Sequence, residues 1–275
     1  MALDIKQIRA RLNQLKSQTN KQDNLWKPKG KTQIRIVPYR FDPNMPFIEL
    51  LFHYDLGGKT YLSPKSFGRP DPVVEFAEQL KMSGDKDDYK LARKLEPKLR
   101  TFVPMILRGE IDRDGKLKQN TGDNTVKFWG FGKTVYQDIL GYMDDPDYGD
   151  IVDVETGRDL VVEFKTAEET GKSFPETKIR PKPNQTTLTD DSNVLKEMIT
   201  TQKNITELYK EYTYEELKEV LTKWLDGDSA EETHETTQTQ EPKTEEKKES
   251  VVPDDTKVAT DKKSIKSEFD DLFNN

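Results

Sequence analysis

The chain has 275 residues, of which 32% are hydrophobic and 35% charged, with a formal net charge of −7. It contains no cysteine, which excludes disulfides and thiolate zinc sites. No apolar run approaches the ~20 residues that a membrane-spanning helix needs, and the start Met1-Ala2-Leu3-Asp4-Ile5-Lys6 lacks the apolar core of a signal peptide. A soluble, intracellular protein with no membrane partner is expected.

Charge is unevenly placed. Residues 1–40 carry ten Lys or Arg against Asp4 and Asp23. Within them Leu3, Ile5, Ile8, Leu12 and Leu15 recur at helical spacing, with Lys6, Arg9 and Arg11 on the remaining faces. The pattern predicts a short basic amphipathic helix in an arm of residues 1–20. It either docks on its own domain or packs on a neighbouring molecule.

A folded core is expected over residues 21–226. Gln33–Pro38 and Phe47–Tyr54 alternate as strands do, and Gly57-Gly58 reads as a hairpin turn before Lys59–Leu62. Val73–Met82 and Asp87–Leu95 read as helices, Thr101–Leu107 and Thr125–Phe131 as strands, Val135–Met143 as a helix and Asp159–Lys165 as a last strand. Short strands with one or two helices predict a mainly β fold with helical insertions, built on a partly open barrel of the oligonucleotide-binding type. Residues 166–193 are polar and proline-bearing, and are expected to form a loop or wing. Two C-terminal helices are predicted at Asn193–Tyr209 and Tyr214–Leu225, the second capped by Thr213.

Residues 227–275 hold fourteen acids and seven lysines, so this tail carries the whole net charge and residues 1–226 balance at 37 basic and 37 acidic side chains. A segment so charged and so poor in apolar residues does not bury enough surface to offset its chain entropy, and disorder is expected. Its tip, with Phe269, Leu272 and Phe273 among acids, has the make-up of a short protein-docking motif.

Cations interleaved with aromatic rings suit an unpaired nucleic acid strand: charges neutralise phosphates, and rings stack on bases without reading sequence. Three stretches have this mixture. The first runs from Tyr89 through Arg93 and Lys94 to Lys98, Arg100 and Phe102. The second is Lys127-Phe128-Trp129-Gly130-Phe131-Gly132-Lys133, where strand geometry puts Lys127, Trp129 and Phe131 on one face, either lining a groove or buried as core. The third is Phe174, Lys178, Arg180 and Lys182. The acids Asp144, Asp145, Asp147 and Asp150 offer a magnesium site for a nuclease, but their Pro/Gly-bearing loop favours solvated turn acids. No nucleophile–base constellation is visible, so no enzyme and no cofactor is expected. An RNA-binding or translational-regulatory barrel is the rival, since both polymers offer phosphates and bases.

The order of Trp26-Lys27, Ile34-Arg35-Ile36-Val37-Pro38, Pro46-Phe47-Ile48, His53 and Gly58-Lys59-Thr60-Tyr61 resembles the single-stranded DNA-binding proteins of T-even-type bacteriophages. These are the helix-destabilising proteins of their replication forks. The likeness continues through Asp71-Pro72-Val73-Val74, Tyr89–Lys94, Met105-Ile106-Leu107, Phe131-Gly132-Lys133, Phe174 and Asn184-Gln185-Thr186 to the acidic tail. It implies an oligonucleotide-binding barrel with single strands in a basic cleft, and Tyr89, Arg93, Phe102, Trp129 and Phe174 against the DNA. It also implies an arm for cooperative growth along the strand, in which Lys6, Arg9 and Arg11 serve, although the family's short Lys-Arg-Lys-type sequence is missing. The implied partners are single-stranded DNA, neighbouring copies, and phage replication and recombination proteins recruited by the tail, in the cytoplasm of the infected host. The family's best-known members hold zinc with one His and three Cys. His53 matches the His, but the Cys positions appear as Lys65, Asp71 and Val74, so no zinc is expected. The subdomain near 53–80 is then held by packing around Val73, Phe76, Ala77 and Leu80.

Overall fold

A computed structural model describes residues 24–120 and 124–226, together with Phe269, Leu272 and Phe273. The expected basic arm, with Lys6, Arg9 and Arg11, and the tail from 227 to 268 lie outside the described residues. The strands are β1 (Leu25–Trp26), β2 (Lys31–Ile36), β3 (Ile48–Leu56), β4 (Lys59–Leu62), β5 (Lys98–Ile111), β6 (Leu117–Gln119), β7 (Lys127–Phe131), β8 (Leu160–Lys165) and β9 (Glu176–Pro181). The helices are α1 (Pro72–Met82), α2 (Lys86–Leu95), α3 (Lys133–Asp144), α4 (Ala167–Thr170), α5 (Ser192–Thr200) and α6 (Tyr214–Asp226). No described helix is long and apolar enough to cross a membrane.

The chain forms two compact units. Among the described residues, the first takes those up to Glu49 and Arg100–Tyr209; the second takes Leu50–Leu99, those from Lys210, and the tip.

The first unit is built on an open mixed sheet in the order β1–β7–β5–β2–β8–β9, with β6 paired to β5. β1 runs parallel to β7, and the other neighbours along this path are antiparallel. Alternation in β2 suggests one wet face, yet Gln33, Ile34, Arg35 and Ile36 are all buried, because β2 lies between β5 and β8 with both faces covered. The buried polar side chains of β2 find partners, although Arg35 Nε itself has none. Gln33 Nε2 donates to Asp159 Oδ2 at 2.7 Å, and Arg35 donates to the carbonyls of Asp153 and Thr186, both at 2.8 Å. Burial lowers the Arg35 pKa, while the Asp159 carboxylate opposes that shift. A side chain at Gly157 would come within 2.6 Å of the Arg35 guanidinium, so only glycine fits there.

Two expectations are corrected in this unit. The loop expected at 166–193 contains α4 and the edge strand β9, where Ile179 and Pro181 turn inward while Lys178 and Arg180 turn outward. That alternation was obscured by the prolines around it. The helix expected at Asn193–Tyr209 ends at Thr200, and a short 3-10 turn follows at Ile205–Leu208, started by Asn204, whose side chain accepts from Thr206 N. The break lets Gln202 donate to the Pro38 carbonyl and accept from Arg40 N.

In the second unit β3 and β4 form a hairpin. Leu56 pairs with Lys59 across Gly57-Gly58, which sit at φ 64° and 71° as a two-residue turn demands. Asp71 caps α1, accepting from the amides of Val73 and Val74, and Asp85 caps α2. Tyr214 at the start of α6 donates to Glu75 of α1 at 2.6 Å; burial first, then that carboxylate, raises the phenol's pKa. Val73, Phe76, Ala77 and Leu80 are closed to solvent in a cluster with Leu56, Ala92, Leu95, Leu217 and Leu221.

Candidate nucleic-acid interface

The second of the three aromatic–basic stretches is interior. Trp129 is 1% exposed and packs edge-on against Trp26 and Phe131, with ring centroids 5.7 and 4.6 Å away. Phe128, on the opposite side of β7, meets Tyr39 at 6.1 Å. Trp129 and Phe131 therefore join the core instead of lining a groove, because packing covers both faces of β7. Phe102 is corrected in the same way. Lying across β5–β7 from Gly130, it packs on Tyr209 at 5.8 Å and is almost wholly buried. A buried ring presents no face to a base.

The sequence candidates that remain outward in the first unit are mostly cations. Lys133 is exposed at the start of α3, while Lys127 and Arg100 are half-buried. Arg100 donates to the Gly130 carbonyl at 2.7 Å, which holds its guanidinium along the β5–β7 pair. Lys178 and Arg180 stand two residues apart on the exposed face of β9, a spacing of ~6.6 Å along a strand. Glu176 lies 3.4 Å from Lys178, and its carboxyl is held low by Lys172 and Lys178. Phe174 is half-buried in the bend before β9.

The exposed ring of this unit is one that sequence reasoning missed. Phe41 is 52% exposed, with the Arg40 guanidinium 5.5 Å above its ring. The signal was the tripeptide Tyr39-Arg40-Phe41, aromatic–basic–aromatic between Pro38 and Pro43, and it went unread because it belongs to no regular element.

In the second unit the first stretch is displayed as a helix displays it. Tyr89 is 50% exposed, and Arg93, four residues on, shares its face of α2. Lys94 and Lys98 are exposed as well, and Lys98 Nζ donates to the Arg93 carbonyl at 3.4 Å. Arg93 and Lys94 also occupy the last turn of α2, where the helix dipole favours cations.

The position the resemblance assigns to a zinc ligand is otherwise engaged. His53 Nδ1 donates to the carbonyl of Leu95 at 2.8 Å, and Nε2 lies 2.9 Å from Asp71 Oδ2, which also accepts from the Ser63 hydroxyl. A carbonyl oxygen only accepts, and burial alone would push the Asp71 carboxyl up. The hydrogen bond and charge of His53, with help from Ser63 and Val74, outweigh that burial and hold it below the ordinary carboxylate range. Both ring nitrogens are thus engaged, by the Leu95 carbonyl and the Asp71 carboxyl, and the chain has no thiolate, so the residues present do not fit a zinc ion. Among the described residues no group of three or more His, Cys, Asp or Glu could hold a metal. Asp145 and Asp150, from the acidic loop, accept the amides of Asp147 and Val152 and so build turns.

Exposed cations with a few open rings are features that a nucleic-acid-binding protein needs. Residues 28–226 match the family described as gp32 DNA binding protein like, and the chain belongs to that family. The membership supports single-stranded DNA as the ligand. No curated protein matches the chain closely enough to be named as a relative.

Proposed function

We propose that the chain is a sequence-independent, cooperative single-stranded DNA-binding protein of phage DNA replication, recombination and repair, working in the cytoplasm of the infected host. The family match over residues 28–226 carries this reading. The exposed sets Tyr89–Arg93, Arg40–Phe41 and Lys178–Arg180 supply its chemistry, with Lys94, Lys98, Arg100, Lys127, Lys133 and Phe174 contributing beside them. On this reading the sheet of the first unit belongs to an oligonucleotide-binding barrel. Because the protein binds unpaired strands and not duplex, mass action lowers the effective stability of hairpins and duplex without any catalytic step. The arm, through Lys6, Arg9 and Arg11, links neighbouring copies, and the acidic tail recruits replication proteins. The His53–Asp71–Ser63 network takes the structural place that the resemblance gives to zinc, and no cofactor is needed.

A fluorescence titration of the full chain with poly(dT) at two salt concentrations tests the reading. Saturable binding that weakens steeply with salt is expected. Stronger binding to a matched ribo-oligonucleotide would instead favour the RNA-binding rival, and cleavage of the strand in magnesium would make the protein a nuclease.

A further inference from the structure

The C-terminal tip does not stand free. Phe269 is 3% exposed and belongs to the apolar cluster of the second unit, its ring 5.6 Å from Phe76 of α1 in an edge-on contact. Phe273, one helical turn on, lies 4.8 Å from Phe269 and 6.4 Å from Tyr214 of α6. Lys218 of α6 places its ammonium 5.0 Å over the Phe273 ring and donates to the Phe273 carbonyl at 3.2 Å. Leu272, between them in sequence, is 40% exposed. Two of the three residues expected to dock on other proteins are thus engaged by their own chain.

We propose that the α1–α6 face is a peptide-binding seat for an acidic segment bearing two phenylalanines four residues apart, and that its resident occupant is the chain's own tip. Three features recognise that occupant. An apolar slot beside Phe76 takes one ring, Tyr214 and the Lys218 ammonium take the other, and the cation suits a segment that carries Glu268, Asp270 and Asp271. Forty-two residues, 227–268, connect α6 to the tip, a length that extends to ~150 Å at most and leaves the tip free to reach its seat. The seat also bears on the recruitment role proposed above, on which this consequence alone rests. A partner that reads Phe269 and Phe273 meets a sequestered motif, and a seat filled nine-tenths of the time weakens its apparent affinity about tenfold.

A fluorescent peptide of residues 263–275 tests the seat directly, with no nucleic acid present. In the full chain carrying Phe269→Ala and Phe273→Ala the seat is empty, so the peptide binds about tenfold or more tighter than to the unmodified chain; equal binding to both, or to neither, overturns the proposal. A scrambled peptide of the same charge binds at least tenfold more weakly, and equal binding by it refutes aromatic recognition. Should the double variant not fold, Lys218→Glu in the otherwise unmodified chain serves instead. Amide hydrogen exchange at 269–273 accelerates about tenfold, and unchanged protection sinks the idea. Sedimentation at rising concentration shows a monomer; a dimer lost on Phe269→Ala with Phe273→Ala means that the seat takes a second copy's tip.

Discussion

His53 Nε2 lies 2.9 Å from Asp71 Oδ2, with both side chains closed to solvent. This buried pair ties β3 to the N-cap of α1, and through the Leu95 carbonyl to the end of α2. One carboxylate thereby caps the helix and bonds the imidazole, and losing either partner leaves a buried polar atom of the other without its bond.

Replacing His53 with Ala or Asp71 with Asn is therefore expected to destabilise the second unit by about 3–5 kcal/mol. The dependence on pH follows from the lowered Asp71 pKa. A carboxyl held low in the folded state stabilises it at pH values above the unfolded carboxyl's ordinary range, and that stability is lost as pH falls through the lowered value. Denaturant melts at neutral and acid pH should show the two variants and the unmodified protein converging in acid. Zinc or a chelator should leave the melting temperature of the unmodified protein unchanged.

Tyr89 and Trp129, equivalent candidates in sequence, should part company. Tyr89→Ala removes an exposed ring, so melting is preserved while poly(dT) affinity falls by about 1–3 kcal/mol. Trp129→Ala opens a cavity beside Trp26 and Phe131 and should cost about 3–5 kcal/mol of folding stability. A thermal melt beside each titration separates the two effects.

On β9, Lys178→Ala and Arg180→Ala should each weaken binding to any sequence alike. Each lost phosphate contact lowers the slope of log affinity against log salt by about 0.7. An unchanged slope in both variants would remove the edge strand from the interface.

Gly130→Ala should destabilise the first unit by about 1–3 kcal/mol, because a Cβ there would sit 2.7 Å from the Phe102 ring and 3.2 Å from Arg100 Nε. Adding Phe102→Leu should restore part of the loss, as expected of two neighbours contending for one space.

Removing residues 227–275 is expected to strengthen DNA binding, since fourteen acids no longer compete with the strand, and the gain should shrink as salt rises. The same deletion empties the α1–α6 seat, so stability and affinity must be measured together.

Much of this molecule could be read before any coordinates were known. The Gly57-Gly58 hairpin, the Thr213 cap, whose hydroxyl accepts from Glu216 N, and most element positions follow from local rules, since turn glycines and capping side chains act on backbone groups two or three residues away. The exposed cations of α2 and β9 were legible for the same reason: charge stays at the surface unless a partner is built for it. The rings were not. Alternation places Trp129 and Phe131 on one face of a strand, but whether that face meets water depends on neighbours such as Trp26, far earlier in the sequence. Phe41 was missed because no periodic element carries it.

By its own chemistry the chain determined most of its strands, the turn at Gly57-Gly58, the separation of a basic front from an acidic end, and its incapacity for thiolate zinc. Only the tertiary structure decided which aromatics are core and which are open, that Asp71 would close on His53, and that Phe269 would return to Phe76 across nearly two hundred residues. Burial is a property of every neighbour at once, and those neighbours meet only when the chain has folded.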